Sequence, residues 1–235
     1  MKSNELPFVR DMFDRIAPHY DFLNRLLSMR RDLFWRRVLV RQLKLPPNAL
    51  VLDMACGTGD VALEIARQTG TITVIGADFA PNMLRLARSK IERDRTSTTV
   101  VLTAADALRL PFGPERFNVI TMAFGIRNIQ DKAGVLQHFY HHLKPGGQLA
   151  ILELATPDRG LLRRLYLNYF NHLLPLLGKL FSKHTYAYTY LPDSVAKFPS
   201  AAKFSKLMRT AGFKNIRYRK MTMGIAVVFI GEKDV

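Results

Sequence analysis

Cysteine is nearly absent: Cys56 stands alone in 235 residues, so no intramolecular disulfide can form and a cysteine-rich zinc site is excluded. No run of about 18 uncharged apolar residues occurs, which argues against a membrane-spanning helix. The opening Met1-Lys2-Ser3-Asn4-Glu5 lacks the apolar core of a secretory signal. These absences together predict a cytoplasmic protein. Acidic residues are also scarce, 19 against 35 Lys and Arg, which leaves a formal net charge of +16. Such an excess favours phosphate-rich partners, either nucleic acid or an anionic membrane surface. It is unevenly placed, because between Arg159 and Lys220 thirteen Lys and Arg face Asp193 alone.

What remains is ordinary for a folded chain, with 48% apolar and 23% charged residues. The length is enough to bury a substantial core, and we read residues 1–235 as one domain. Apolar residues recur at three- and four-residue intervals over 8–45, predicting an N-terminal cap (1–46) of two helical pieces punctuated by Pro18 and by Pro46-Pro47. Strands are then predicted near 50–52, 71–76, 99–103, 117–122 and 148–152, with helices over 61–68, 81–92 and 133–143. Such alternation specifies an α/β fold with a mostly parallel sheet. Residues 215–221 and 225–232, joined at Thr222-Met223-Gly224, predict an antiparallel C-terminal hairpin and a seven-stranded sheet. Residues 159–200, dense in Leu, Tyr and Phe, read as an insertion that gives the sheet's active edge a helical cover.

The chemistry begins directly after the first strand, at Asp53-Met54-Ala55-Cys56-Gly57-Thr58-Gly59-Asp60. Gly57 and Gly59 allow a tight turn that a ligand can approach closely. Asp78 ends the second strand, nineteen residues beyond Gly59, where its carboxylate can accept from both hydroxyls of a ribose. The spacing also fits a dinucleotide fingerprint, but Asp53 at the head of the turn would repel a pyrophosphate and suits a cationic amino-acid group. Asp106 and Ala107 follow the third strand, where a carboxylate can accept from an adenine amino group. Leu143-Lys144-Pro145-Gly146-Gly147 turns into the fifth strand. The plainer readings are that the glycines serve only turns and that Asp78 caps the helix beginning at Pro81.

Over residues 49–155 this order of motifs resembles the S-adenosylmethionine-dependent methyltransferases of class I, which implies a Rossmann-like sheet and S-adenosylmethionine as cofactor. Three further segments narrow the resemblance: residues 13–24 (FDRIAPHYDFLN), 123–128 (AFGIRN) and 186–195 (YAYTYLPDSV). With them the chain, from about residue 8 to 230, is similar to the quinone-biosynthesis C-methyltransferases. Those enzymes methylate demethylmenaquinol to menaquinol and, in some organisms, also a polyprenyl methoxybenzoquinol on the way to ubiquinone. The resemblance implies cofactor contacts from Thr58, Asp78, Asp106 and Ala107. It departs at Ala123, where some relatives carry a serine.

The segment after the fourth strand lies where open α/β sheets place their ligands, so Phe124, Arg127 and Asn128 are expected beside the acceptor. A quinol carbon becomes nucleophilic when a neighbouring hydroxyl ionises. A fixed guanidinium lowers the cost of that phenolate, so Arg127 is assigned as electrostatic stabiliser, Asn128 as hydrogen-bond partner and water as proton acceptor. His19 and Tyr20 are candidates to assist. Tyr186, Tyr188 and Tyr190 are candidates to line the ring-shaped acceptor, against a plainer reading as period-two core packing. The plainer reading of Arg127 is a surface ion pair with Asp131. No metal is expected, and His138, His141 and His142 are read as a solvated helix face.

The apolar residues of 161–181, flanked by Arg163, Arg164, Lys179 and Lys183, suit transient contact with an anionic bilayer from which a prenylated quinol is drawn. That places the chain at the inner face of the membrane as a peripheral protein and makes nucleic acid an unneeded partner. The oligomeric state stays open, a homodimer included. Two competing functions are an RNA methyltransferase, motivated by the charge, and a non-catalytic cofactor-binding regulator.

Overall fold

The computed structural model describes residues 5–68, 71–94, 99–157, 160–168 and 186–235. Its centre is one seven-stranded sheet made of β1 (Leu50–Met54), β2 (Thr73–Asp78), β3 (Thr99–Ala104), β4 (Phe117–Ala123), β5 (Leu143–Leu154), β6 (Lys214–Met221) and β7 (Ala226–Glu232). The order is β3-β2-β1-β4-β5-β7-β6, with neighbours parallel except at β7, which pairs antiparallel with both β5 and β6. The mostly parallel sheet and its C-terminal hairpin are thus as the alternation specified.

Helices α1 (Glu5–Leu27), α2 (Arg31–Val40), α3 (Asp60–Gln68), α4 (Pro81–Asp94), α5 (Lys132–His142), α6 (Gly160–Asn168), α7 (Tyr186–Lys197) and α8 (Ala201–Thr210) surround it. The period of two along the strands divides the core between the two faces. Leu52, Ile120, Ile151 and Phe229 pack on one side with Phe139 of α5 and Phe204 of α8. Val51, Val119, Leu152 and Val228 pack on the other with Trp35 and Leu39 of α2 and Ile65 of α3.

Three sequence expectations are corrected. Pro18 does not divide the N-terminal segment, because α1 runs through it. A proline withholds one N–H from the helix, and the Asp14 carbonyl that would have received it accepts instead from Asn82 Nδ2 of α4 (3.4 Å). The true break comes at Met29 and Arg30, both left-handed (φ 49° and 61°). Residues 186–197 are helical, as expected of the helical cover, which corrects only the plainer period-two reading of its tyrosines. His142 is buried, with Nδ1 2.7 Å from the His138 carbonyl and Nε2 3.1 Å from that of Phe112, so only His138 and His141 face solvent.

The sheet order reverses between β1 and β4, the position where α/β folds open a crevice at the carboxyl ends of their strands. Both strands leave the sheet abruptly there, Ala55 after β1 and Phe124 after β4 having φ of 54° and 60°. The two exits pack so tightly that a Cβ on Gly125 would lie 2.9 Å from that of Ala55. α1 and α2 close the crevice from above.

Candidate active site

Two connected spaces occupy this crevice. The first is a narrow cleft lined by Ala55, Gly57, Asp78, Phe79, Met83, Asp106, Ala107, Ala123, Phe124, Gly125 and Asn128, with Phe13 and Tyr20 of α1 above. It continues past Tyr20, Gly57 and Ala123 into a small hollow walled by Arg36, Asp53, Cys56, Thr58 and Asp60. The second is a cavity of about 610 Å³ with largely apolar walls, bounded by Leu23, Leu27, Trp35, Phe124, Leu154 and Ile225. Arg36, Arg127 and Tyr190 also line it, and Tyr20, Phe13 and Phe124 belong to both spaces.

The structure sets the residues of the glycine turn into distinct environments. Asp78 is buried; its Oδ2 accepts from Gly57 N (2.8 Å) and its Oδ1 from Ala80 N (2.9 Å). It therefore braces the turn and the start of α4 while forming part of the cleft wall. Burial raises its pKa, opposed by those backbone donors. Asp53 is buried between Thr121 Oγ1 (2.8 Å) and Ala62 N (3.1 Å), and burial lifts it to about 7. Gly57 and Gly59 both have positive φ (55° and 83°), and a Cβ on Gly59 would meet the Cβ of Ala87 at 3.3 Å. The Thr58 hydroxyl donates to Asp21 Oδ1 (2.7 Å) and accepts from Lys90 (3.0 Å), so that side chain ties α1 and α4 to the turn. Asp106 and Ala107 stand in the cleft wall, Asp106 Oδ1 accepting from Leu108 N (2.9 Å).

α1 brings Tyr20 to the site and leaves His19 out. Phe13, Ile16, Tyr20, Leu23 and Leu27 repeat at helical spacing on the side facing the crevice, while His19, one residue back, is exposed and lines neither space. Burial raises the Tyr20 phenol, opposed by Arg36, a side-chain bond with Asn24 and Arg127. Tyr190 lines the cavity; the side chains of Tyr186 and Tyr188 lie outside the described residues.

Arg127, in the 3-10 turn Ile126–Asn128, is not a surface residue and does not pair with Asp131, which caps α5 through Gly134 N (2.8 Å). Its Nη1 donates to Glu153 Oε1 (2.8 Å) and to the Phe124 carbonyl. Glu153 on β5 is fully buried and also accepts from the backbone N–H of Arg127 (3.0 Å) and of Leu154 (2.8 Å). Burial penalises the Arg127 cation, but Glu153 together with Tyr20 and Tyr190 offsets this and its pKa is raised. Sequence reasoning missed Glu153, although a single acid inside the apolar run Ile151-Leu152-Glu153-Leu154 was the available signal. Among the described residues, Arg127 Nε and Asn128 Oδ1 are buried without a hydrogen-bond partner, one at the edge of each space. No three His, Cys, Asp or Glu among the described residues are grouped to hold a metal ion.

A nucleoside fits this cleft on its own evidence. At Gly57 the turn leaves room, a Cβ there meeting nothing nearer than Tyr20 at 3.9 Å, Asp78 presents a carboxylate at the end of β2, and Asp106 stands beyond it. Strand order, glycine turn and carboxylates together define a class I methyltransferase dependent on S-adenosylmethionine. The model of the ubiE/COQ5 methyltransferase family matches residues 1–233, and the chain belongs to that family. It is 46% identical over 226 residues to the ubiquinone/menaquinone biosynthesis C-methyltransferase UbiE of Geotalea daltonii, covering 96% of each chain. It is 42% identical over 232 residues to the demethylmenaquinone methyltransferase of Deinococcus radiodurans, covering 99% of this chain and 95% of that one. Among solved structures, a methyltransferase of Thermotoga maritima described as a possible histamine N-methyltransferase superposes with a TM-score of 0.68 at 22% identity. That match covers 96% of this chain and 99% of the other and speaks to the fold alone.

Proposed function

We propose that this enzyme transfers the methyl group of S-adenosylmethionine to a ring carbon of demethylmenaquinol, giving menaquinol, and that the 610 Å³ cavity receives the acceptor. The observation that carries this reading is an apolar cavity meeting the cofactor cleft at one polar corner, where Tyr20, Phe124 and Arg127 stand. A prenylated quinol has that same division, a polar ring and a long apolar tail. Bound in the cleft, the cofactor supplies an electrophilic methyl on sulfur. Gly57, Gly59, Asp78, Asp106 and Ala107 hold its nucleoside end, and Asp53 faces its cationic amino-acid end.

In this proposal Arg127 stabilises the ionised hydroxyl beside the reacting carbon, while Asn128 and Tyr20 orient the ring. A guanidinium held by a buried carboxylate cannot act as base; the proton leaves to water. Glu153 is enclosed and bonded three times, so it acts through Arg127 as a positioning residue. Phe124 and Tyr190 pack against the ring, Tyr166 of α6 and Leu191 of α7 contribute the insertion's described part, residues 169–185 of it lying outside the described residues, and α1 and α2 cap the single domain. No helix among the described residues is long and apolar enough to cross a membrane, and the tail is drawn from a bilayer surface by transient contact.

The test is to supply S-adenosylmethionine with short-tailed demethylmenaquinol, a methoxybenzoquinol or total RNA and to follow methyl incorporation by mass. Methylated menaquinol is expected, and turnover of the benzoquinol as well would make the enzyme bifunctional. Methylated RNA with inert quinols would overturn the proposal, and tight cofactor binding without any product would mark a regulatory protein.

A further inference from the structure

Arg36 belongs to none of the sequence motifs, yet it forms part of the wall of both the acceptor cavity and the hollow at the Asp53 end of the cofactor cleft. It is 6% exposed. Its Nη1 donates to Asp32 Oδ2 (2.7 Å), its Nε lies 3.8 Å from Asp60 Oδ2, and its guanidinium carbon sits 5.0 Å over the Phe124 ring. A guanidinium has five N–H donors, so these contacts leave capacity on the Arg36 fork.

Of the nearby acids, Asp32 and Asp60 are shared with other cations, and Asp53 in the same hollow is bonded by Thr121 Oγ1 (2.8 Å) and Ala62 N (3.1 Å). Arg25 bridges Asp32 (2.6 Å) and Asp60 (2.9 Å), and Lys90 binds Asp60 (2.7 Å) and Asp21 (2.6 Å). A buried cation facing a hollow in the cleft is arranged to receive an anion. The cleft has two ends: Asp78, Phe79, Met83 and Asp106 stand at the nucleoside end, and Arg36 with Asp53, Gly57 and Thr58 at the other. A ligand with a nucleoside at one end and an amino acid at the other would place a carboxylate beside Arg36 and an ammonium beside Asp53.

We infer that Arg36 receives the α-carboxylate of the cofactor's amino-acid group, which makes α2 part of the cofactor site. The inference rests on the S-adenosylmethionine reading above and is tested separately from it. The same guanidinium forms a wall of the acceptor cavity over Phe124, so one side chain serves both spaces.

Calorimetric titration of the full chain with S-adenosylmethionine, its decarboxylated analogue and 5′-methylthioadenosine separates the parts of the ligand. A charge-assisted pair predicts that the unaltered chain prefers S-adenosylmethionine over the decarboxylated analogue by about ten- to a hundredfold. Arg36→Met should abolish that preference while binding of the decarboxylated analogue and of methylthioadenosine stays within about twofold, and Arg36→Lys should keep part of it. A preference that survives Arg36→Met, or its absence in the unaltered chain, overturns the inference. So does a parallel loss of all three ligands in variants whose melting is unchanged. If Arg36→Met does not fold, Arg36→Lys and the unaltered chain still decide. Failure of the unaltered chain to bind any of the three would instead overturn the cofactor reading.

Discussion

Single residues here carry charge into buried positions, and the consequences can be measured. Glu153→Gln keeps the shape of the side chain but leaves Arg127 as an unpaired cation that is 8% exposed at its side chain. Breaking a buried pair from one side costs about 3–5 kcal/mol, so denaturant titration should show a loss of that order. A Glu153→Gln/Arg127→Met double variant should recover most of the stability but show far lower activity than Glu153→Gln alone. Activity in the double variant equal to that of Glu153→Gln alone would remove Arg127 from the chemistry.

Asp53 makes the complementary prediction through pH. Its folded pKa of about 7 lies above the roughly 3.9 of an unfolded aspartate. Between those values the folded state holds a proton that the unfolded state has lost. The group's contribution to the unliganded fold is therefore fully present below about pH 4 and disappears as pH rises through about 7. A cationic ligand prefers the ionised carboxylate, so cofactor affinity should increase from pH 6 to pH 8. In Asp53→Asn, whose amide can still accept from Ala62 N and donate to Thr121, both slopes should vanish. An unchanged pH dependence of binding in that variant would exclude Asp53 from the cationic end.

At the scale of elements, the segments that report a period were legible and those that depend on a distant partner were not. The five parallel strands announced themselves as short apolar runs between helical spacings, because sheet burial on both faces demands them. The glycine turn with Asp78 was legible because positive φ demands glycine and a carboxylate at a strand end can brace such a turn, here through Gly57 N. Pro18 misled, since a helix tolerates a proline when another group uses the freed carbonyl, here Asn82, and no local pattern contains that group. The ion cluster of Arg25, Asp32, Arg36, Asp60 and Lys90 joins four helices and is scattered over 66 positions of sequence, out of reach of any spacing rule. Gly59 gives the element-scale prediction. With φ at +83° and Ala87 at 3.3 Å from a would-be Cβ, Gly59→Ala should cost about 1–2 kcal/mol and weaken cofactor binding, read by thermal melting with and without ligand. Full stability with normal affinity would show that the turn does not require its conformation.

For the molecule as a whole, the question is where the excess positive charge meets a partner. β6 exposes Lys214, Arg217, Arg219 and Lys220 and runs into the turn at Thr222–Gly224, where Met223 is 74% exposed. Across the mouth of the acceptor cavity Met29, 82% exposed, stands beside Arg30 and Arg31. Left-handed backbone holds both methionines outward (φ 49° at Met29, 54° at Met223), and Trp35 Nε1 of α2 donates to Thr222 Oγ1 (2.9 Å) beside Met223. Apolar tips among basic side chains at the opening of an apolar cavity suit an anionic bilayer, whose attraction for each Lys or Arg is about 1 kcal/mol and is screened by salt. Sedimentation with phosphatidylglycerol-containing vesicles should therefore pull down the enzyme at low salt, with binding falling steeply toward 0.5 M salt on the order of the screening expected, and pure phosphatidylcholine should not. Met29→Glu/Met223→Glu should reduce vesicle binding about tenfold, on the scale of two lost apolar contacts and two added like charges, with cofactor affinity unchanged. If the double variant binds vesicles as the unaltered chain does, this rim is not the contact, and the Lys and Arg of 159–183 become the residues to substitute next.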